Sequence, residues 1–202
     1  MKKGVFVSID GPNGSGKSFF IENLVKKLDG YFSVYQTKEP TPTAFGEFVK
    51  KNEGGLKGIQ YAHLIWADRY YHMEKYILPE LASGKIVISD RFIDSSFVLQ
   101  GFDGVPYEKI WELNSLFQFP DLSIILVADP NILTDRLSKR DMLSAFEKQM
   151  TRQQEIDGYK KAVQFLESKN ISHIIYSNNT MDDFKNNIED SFRRICALAR
   201  LS

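Results

Sequence analysis

The run Gly11-Pro-Asn-Gly-Ser-Gly-Lys-Ser18 holds the residues best suited to chemistry. Its spacing is G-x-x-x-x-G-K-[ST], a P-loop, in which Gly11, Gly14 and Gly16 let backbone N–H groups turn inward around an anion. Asn13 and Ser15 complete the loop. A following helix adds the partial positive charge of its amino end, Lys17 is placed to reach the outer phosphates of a nucleotide, and Ser18 to ligate Mg²⁺. Switches, motors, ATPases and small-molecule kinases all use such a loop, so what is done with the nucleotide must be read elsewhere.

Two further groups of charged residues bear on that question. Asp90-Arg91 follows an apolar run; a carboxylate there holds a Mg²⁺ water or caps a helix, and the guanidinium offers a planar fork to phosphate oxygens. Thr37-Lys-Glu-Pro40 closes another extended run and brings a second cation, Lys38. His63, His72 and His173 lack metal-ligand spacing, and the single Cys196 lies in an apolar stretch where packing accounts for it, so no structural zinc is expected.

These groups need a scaffold that brings them to one edge. Short β-branched or aromatic runs at 4–9, 31–37, 85–89, 122–128 and 171–176 read as strands. Between them, apolar residues at helical spacing predict helices at 17–28, 59–81, 106–117, 131–139, 150–169 and 182–198. Strands separated by helices imply a parallel sheet with helices on both faces, an α/β protein whose ligands gather at the carboxyl ends of the strands. Those ends fall just after residues 9, 37, 89 and 127, where the charged groups lie.

With 202 residues, of which 43% are apolar, the chain is expected to form one domain over 1–202, the glycine-rich stretch 53–58 being a loop within it. Lys and Arg number 26 against 26 Asp and Glu, a balance that excludes a coat for nucleic acid or for an anionic membrane. The apolar run 123–128 is far short of the ~20 residues that cross a bilayer, and Met1-Lys-Lys leads straight into a strand. The expectation is a cytoplasmic protein that grips phosphate locally.

The order of the motifs carries a resemblance. The P-loop, Thr37-Lys-Glu-Pro40, Ala67-Asp-Arg69, Asp90-Arg-Phe-Ile-Asp-Ser95, Gln100-Gly101 and Pro120-Asp-Leu122 follow the order of the thymidylate kinase family over residues 4–159. The resemblance implies a P-loop kinase fold with a five-stranded parallel sheet and a short lid over about 137–149. It implies transfer of the γ-phosphoryl group of ATP, with Mg²⁺, to a pyrimidine deoxynucleoside monophosphate, dTMP above all. By position, Lys38 matches the residue holding the acceptor phosphate, Arg69 the one touching the base, and Arg91 the one between acceptor and donor phosphates. Ser96 and Gln100 match positions at the thymine edge, and Asp90 the acid near Mg²⁺. The catalytic set is then Lys17, Asp90, Arg91 and a lid cation, for which Arg136, Lys139 and Arg140 are candidates, with Arg140 foremost and Arg136 also expected at ATP. The resemblance further implies a homodimer, lined by Ile59, His63, Trp66 and Tyr70 on the long helix, although a core-facing stripe has the same spacing.

Four positions depart from the family, and all lie on the acceptor side. Asn13 stands where an acid contacts the sugar, Ile65 where a phenylalanine stacks on the base, Lys38 where an arginine is usual, and Leu99 where a tyrosine precedes Gln100. The residue after Ile65 is Trp66, but one step on a helix turns a side chain by about 100°. The departures leave open a relative that phosphorylates another nucleotide or a nucleoside, or a regulatory module that binds nucleotide without catalysis.

Overall fold

Central strands buried on both faces read as continuous apolar runs, and three such strands with a half-exposed strand at each edge build the sheet. In the computed structural model, which describes residues 4–139 and 144–201, these are β1 (Val5–Asp10), β2 (Val34–Lys38), β3 (Ile86–Asp90), β4 (Leu122–Val127) and β5 (His173–Ser177). All pair in parallel in the order β2-β3-β1-β4-β5. The register sets Lys38 beside Asp90 and Asp90 beside Ile9. The first P-loop residues and both charged groups are therefore level at one edge.

The helices are α1 (Lys17–Leu28), α2 (Ala44–Lys51), α3 (Gly58–His72), α4 (Leu78–Ala82), α5 (Ile93–Phe102), α6 (Tyr107–Asn114), α7 (Pro130–Ser138), α8 (Ala145–Gln149), α9 (Arg152–Ser168) and α10 (Met181–Leu201). They cover both faces of the sheet, as the alternating pattern requires. Val5, Val7 and Ile9 pack with Phe20 and Leu24 of α1 and Ile188 and Ile195 of α10. Phe6 and Val87 turn to the other face, under Tyr61 of α3, Phe97 of α5 and Tyr159 of α9.

The long helix predicted over 59–81 is a continuous helical path broken by a π turn at Met73–Ile77 between α3 and α4. Helices α2 and α5 were not predicted, nor was α8, which falls in the segment read as the lid. The first is short, and follows Pro40 and Pro42. The second is buried on most sides, so its sequence has little amphipathic period to read. Pro106 stands at the N-cap of α6 and not inside its first turn. Ser144 and Glu147 form a capping box that starts α8, and Thr151 and Gln154 do the same for α9.

Candidate active site

The P-loop turn depends on glycine where the backbone must pass close to β4. Gly11 has φ 140°, and a Cβ there would lie 2.1 Å from the Leu126 carbonyl oxygen, which leaves no room for any side chain. Within the loop, Gly16 caps α1, and Gly14, Lys17 and Ser18 line a 360 Å³ cavity together with Asp90 and Arg91. The buried Lys17 ammonium donates to the Gly11 and Pro12 carbonyls at 2.7 and 3.0 Å. Burial, then the nearby Arg91 charge, lowers its pKa to about 8, while Asp90, Glu155 and Asp10 act in the opposite sense.

Arg91 is held by its backbone and by its side chain. Its φ of 73° is left-handed, a conformation a non-glycine residue adopts only at a cost. The Ser89 hydroxyl donates to its carbonyl at 2.7 Å and its own N–H donates to the Ile9 carbonyl at 3.0 Å. The guanidinium donates to Asn13 Oδ1 at 2.7 Å, Ser95 Oγ at 2.9 Å and Tyr159 Oη at 3.3 Å. Burial alone would lower its pKa, but Tyr159, Asp90, Asp10 and Glu155 raise it above the ordinary arginine value, so it stays charged.

A second cavity of 380 Å³ lies beyond Asn13 and Arg91, which line both hollows. Its wall includes Lys38, Lys50, Ile65, Leu99 and Gln100. A small recess shares Ile65, Leu99, Gln100 and Arg91 with it and adds Arg69 and Ser96. The buried Gln100 Oε1 has no partner within the described residues. Arg69 is buried and heavily bonded: to Glu39 Oε2 at 2.8 Å, Asn114 Oδ1 at 2.5 Å, the Phe92 carbonyl at 3.1 Å and Ser96 Oγ at 3.0 Å. Burial would raise the Glu39 pKa, but Arg69 and His72 hold it below the usual carboxylate range. His72 bridges Glu39 Oε1 at 3.2 Å and Thr37 Oγ1 at 2.6 Å.

The lid side closes the acceptor cavity. Phe146 N–H donates to Glu53 Oε1 at 3.1 Å and its ring lies 6.2 Å from that of Tyr61, so Ser144, Phe146 and Glu147 line the hollow. Arg140, named from the sequence as a catalytic cation, lies outside the described residues. Arg136 is on α7 and donates to the Gly14 carbonyl at 3.2 Å and the Asn178 carbonyl at 3.1 Å, bracing the loop from its flank. Lys139 is exposed and paired with Asp135 at 2.8 Å.

The sequence-named residues around Gly11–Ser18, Asp90 and Arg91 converge, as do Lys38, Ile65, Arg69, Ser96 and Gln100. Trp66 does not join them: it turns away from the cleft and clusters with Tyr70 and Phe117 at 5.8 and 6.4 Å. Asp10, Lys50, Glu155 and Tyr159 were not foreseen. Lys50 had a signal, being a cation in the last turn before the Gly-rich loop. The others become visible only when α9 and β1 are brought together.

A P-loop hollow and a second polar hollow that meet at one arginine define a P-loop nucleotide phosphotransferase. The family model described as thymidylate kinase matches residues 9–188. A probable thymidylate kinase of Caldivirga maquilingensis is 41% identical over 150 residues, covering 71% of this chain and 73% of the relative. Another, of Thermococcus gammatolerans, is 33% identical over 199 residues, covering 92% and 94%. The crystal structure of thymidylate kinase from Ehrlichia chaffeensis shares the fold, with a TM-score of 0.73 at 24% identity over 96% of this chain and 99% of that one. The chain belongs to the thymidylate kinase family and is a nucleoside monophosphate kinase.

Proposed function

We propose that the protein transfers the γ-phosphoryl group of ATP to a phosphate oxygen of dTMP, giving dTDP and ADP. The observation that carries this reading is the pair of hollows sharing Asn13 and Arg91 as their common wall. ATP phosphates fit the Gly11–Ser18 loop, where Lys17 and the α1 amino end face them. The acceptor phosphate fits between Lys38, Lys50 and Arg91, and the base between Ile65 and Leu99, with Gln100 and Arg69 at its polar edge.

An acceptor phosphate needs no strong base at neutral pH, so the work of the protein is alignment and charge neutralisation. Arg91 touches both hollows and stays charged; Lys17 exchanges its loop carbonyls for phosphate oxygens. Ser18 and Asp90 offer a hydroxyl and a carboxylate at the donor cavity, a hard-oxygen pair of the kind Mg²⁺ uses together with substrate phosphates. That ion, when bound, neutralises charge on the phosphate oxygens. Arg136 is spent on the carbonyls that brace the loop, and the lid cation of this reading is Arg140, with Lys139, whose exposed pair with Asp135 is easily given up, as the other candidate. We infer in addition one domain over 1–202 that works in the cytoplasm, where its nucleotides are found, as a homodimer.

The test is a coupled assay with ATP and dTMP, dUMP, dCMP and a ribonucleotide as acceptors. Turnover is expected to be highest with dTMP; absence of transfer to any of them rejects the proposal.

A further inference from the structure

The wall between the two hollows does not stand by itself. Asn13 presents its Oδ1 to Arg91 only while the amide is held in one orientation, and the group that holds it is Glu155, 142 residues further on. Glu155 is 1% exposed. Its Oε1 accepts from Asn13 N–H at 2.9 Å and from Asn13 Nδ2 at 3.0 Å, which leaves the amide oxygen facing the Arg91 guanidinium at 2.7 Å. The other oxygen, Oε2, accepts from Arg152 at 3.3 Å. Arg152 in turn donates to the Glu147 carbonyl at 2.8 Å and the Met150 carbonyl at 2.7 Å, at the end of α8.

A buried carboxylate is costly to keep without partners, so one that accepts two bonds from a single P-loop residue is there to fix that residue. An asparagine alone offers two amide orientations of similar energy, and one of them would turn an N–H toward the arginine. We propose that Glu155 is a positioning residue for phosphoryl transfer. Through Asn13 it sets the Arg91 guanidinium between donor and acceptor, and through Arg152 it ties that setting to the segment closing the acceptor hollow. The inference rests on the kinase reading given above, and it concerns the alignment of the transferring group more than the affinity for either nucleotide.

The geometry makes an exchange possible. Asn13→Asp places a second carboxylate against Glu155 and repels it; Glu155→Gln loses the charge that orders the amide. In the double variant the amide introduced at position 155 donates to the carboxylate introduced at position 13, which still presents an oxygen to Arg91. The amide nitrogen then faces the backbone N–H of residue 13, whose bond Glu155 Oε1 accepts in the wild type, so the exchange restores the side-chain contact and not the backbone one.

The experiment measures kcat and KM for wild type, Glu155→Gln, Asn13→Asp and the double variant. Each single change is expected to lower kcat at least tenfold with KM for ATP and dTMP altered less than threefold, and the double variant, which regains the side-chain contact only, to recover at least threefold over Glu155→Gln. A role for Glu155 in holding α9 alone predicts no rescue by Asn13→Asp. Glu155→Gln within twofold of wild type in kcat, or losses that multiply in the double variant, overturns the proposal. If Glu155→Gln fails to fold, Asn13→Asp carries the test, and an unchanged kcat in that variant overturns it. NMR of the Arg91 guanidinium N–H signals adds a readout independent of turnover. They are expected to be resolved in wild type, lost to solvent exchange in either single variant, and resolved again in the double. If wild type phosphorylates no acceptor, the kinase reading falls, whereas these signals still decide whether Glu155 positions Arg91.

Discussion

Asp10 closes β1 one residue before the P-loop and has no access to water. Its carboxyl accepts from Phe92 N–H at 3.0 Å and from the Ser95 hydroxyl, which itself accepts from Arg91 at 2.9 Å. An acid in that place orients the serine so that a lone pair is left for the arginine. Burial, then the neighbouring Asp94 charge, raises the Asp10 pKa from 3.8 to about 7. An acid whose folded value is raised contributes stability that is complete below its unfolded value and is lost as pH rises through the folded one. Asp10 is therefore expected to make the wild type progressively less stable from pH 4 to pH 7, by an amount of order a few kcal/mol. Asp10→Asn is neutral throughout and removes that slope. Urea denaturation at several pH values checks this, and parallel stability curves for the two proteins refute it.

At the scale of elements, the site depends on α3 being fastened to the turn after β2. Arg69 and His72, three residues apart on one face of α3, both reach Glu39, in an ion pair with side chains 2% and 6% exposed for Arg69 and Glu39. Removing one partner of a buried pair strands the other charge, so Glu39→Ala is expected to cost about 3–5 kcal/mol in chemical denaturation. Because the Glu39 pKa is depressed, its contribution is present above the unfolded value of 4.5 and is lost as pH falls through the folded one. The wild-type advantage over Glu39→Ala should shrink in acid, and an advantage independent of pH would sink this account. The pair also marks how far the sequence could be read. Strands β1, β3 and β4 and helices α1 and α9 were legible because burial leaves continuous apolar runs or a clear helical period. The π turn at Met73–Ile77 adds no residue type of its own, and α5 hides its period by being buried nearly all round. The phosphate loop, Asp90, Arg91 and Gln100 were legible because their order along the chain is itself a pattern. Glu155 and Asp10 were not, since their roles exist only as contacts across 142 and 85 residues.

For the whole molecule, α3 has two loyalties. Ile65 and Arg69, one turn apart, face the acceptor recess, whereas Trp66 and Tyr70, rotated by about 100°, face outward with Phe117. Around them lie Met73, Leu78 and Leu116 along a 290 Å³ groove. Leu116 is 90% exposed and Tyr70 52%, so large apolar side chains meet water on this face. In the homodimer reading this face meets its copy across a two-fold axis, so each α3 is braced from behind while its inner side holds the acceptor. The reading can be tested at the most exposed position. Leu116 makes so little contact within its own chain that Leu116→Asp should leave the stability of the isolated chain within about 0.5 kcal/mol, yet it places a charge where two copies would meet. Sedimentation equilibrium is expected to give two chains for wild type and one for Leu116→Asp at micromolar concentration. A wild type that sediments as one chain, or a variant that remains paired, overturns the dimer through this face. Because the cleft is on the opposite side of α3, the single chain is expected to keep measurable transfer to dTMP, with any loss appearing as a looser acceptor site and a raised KM.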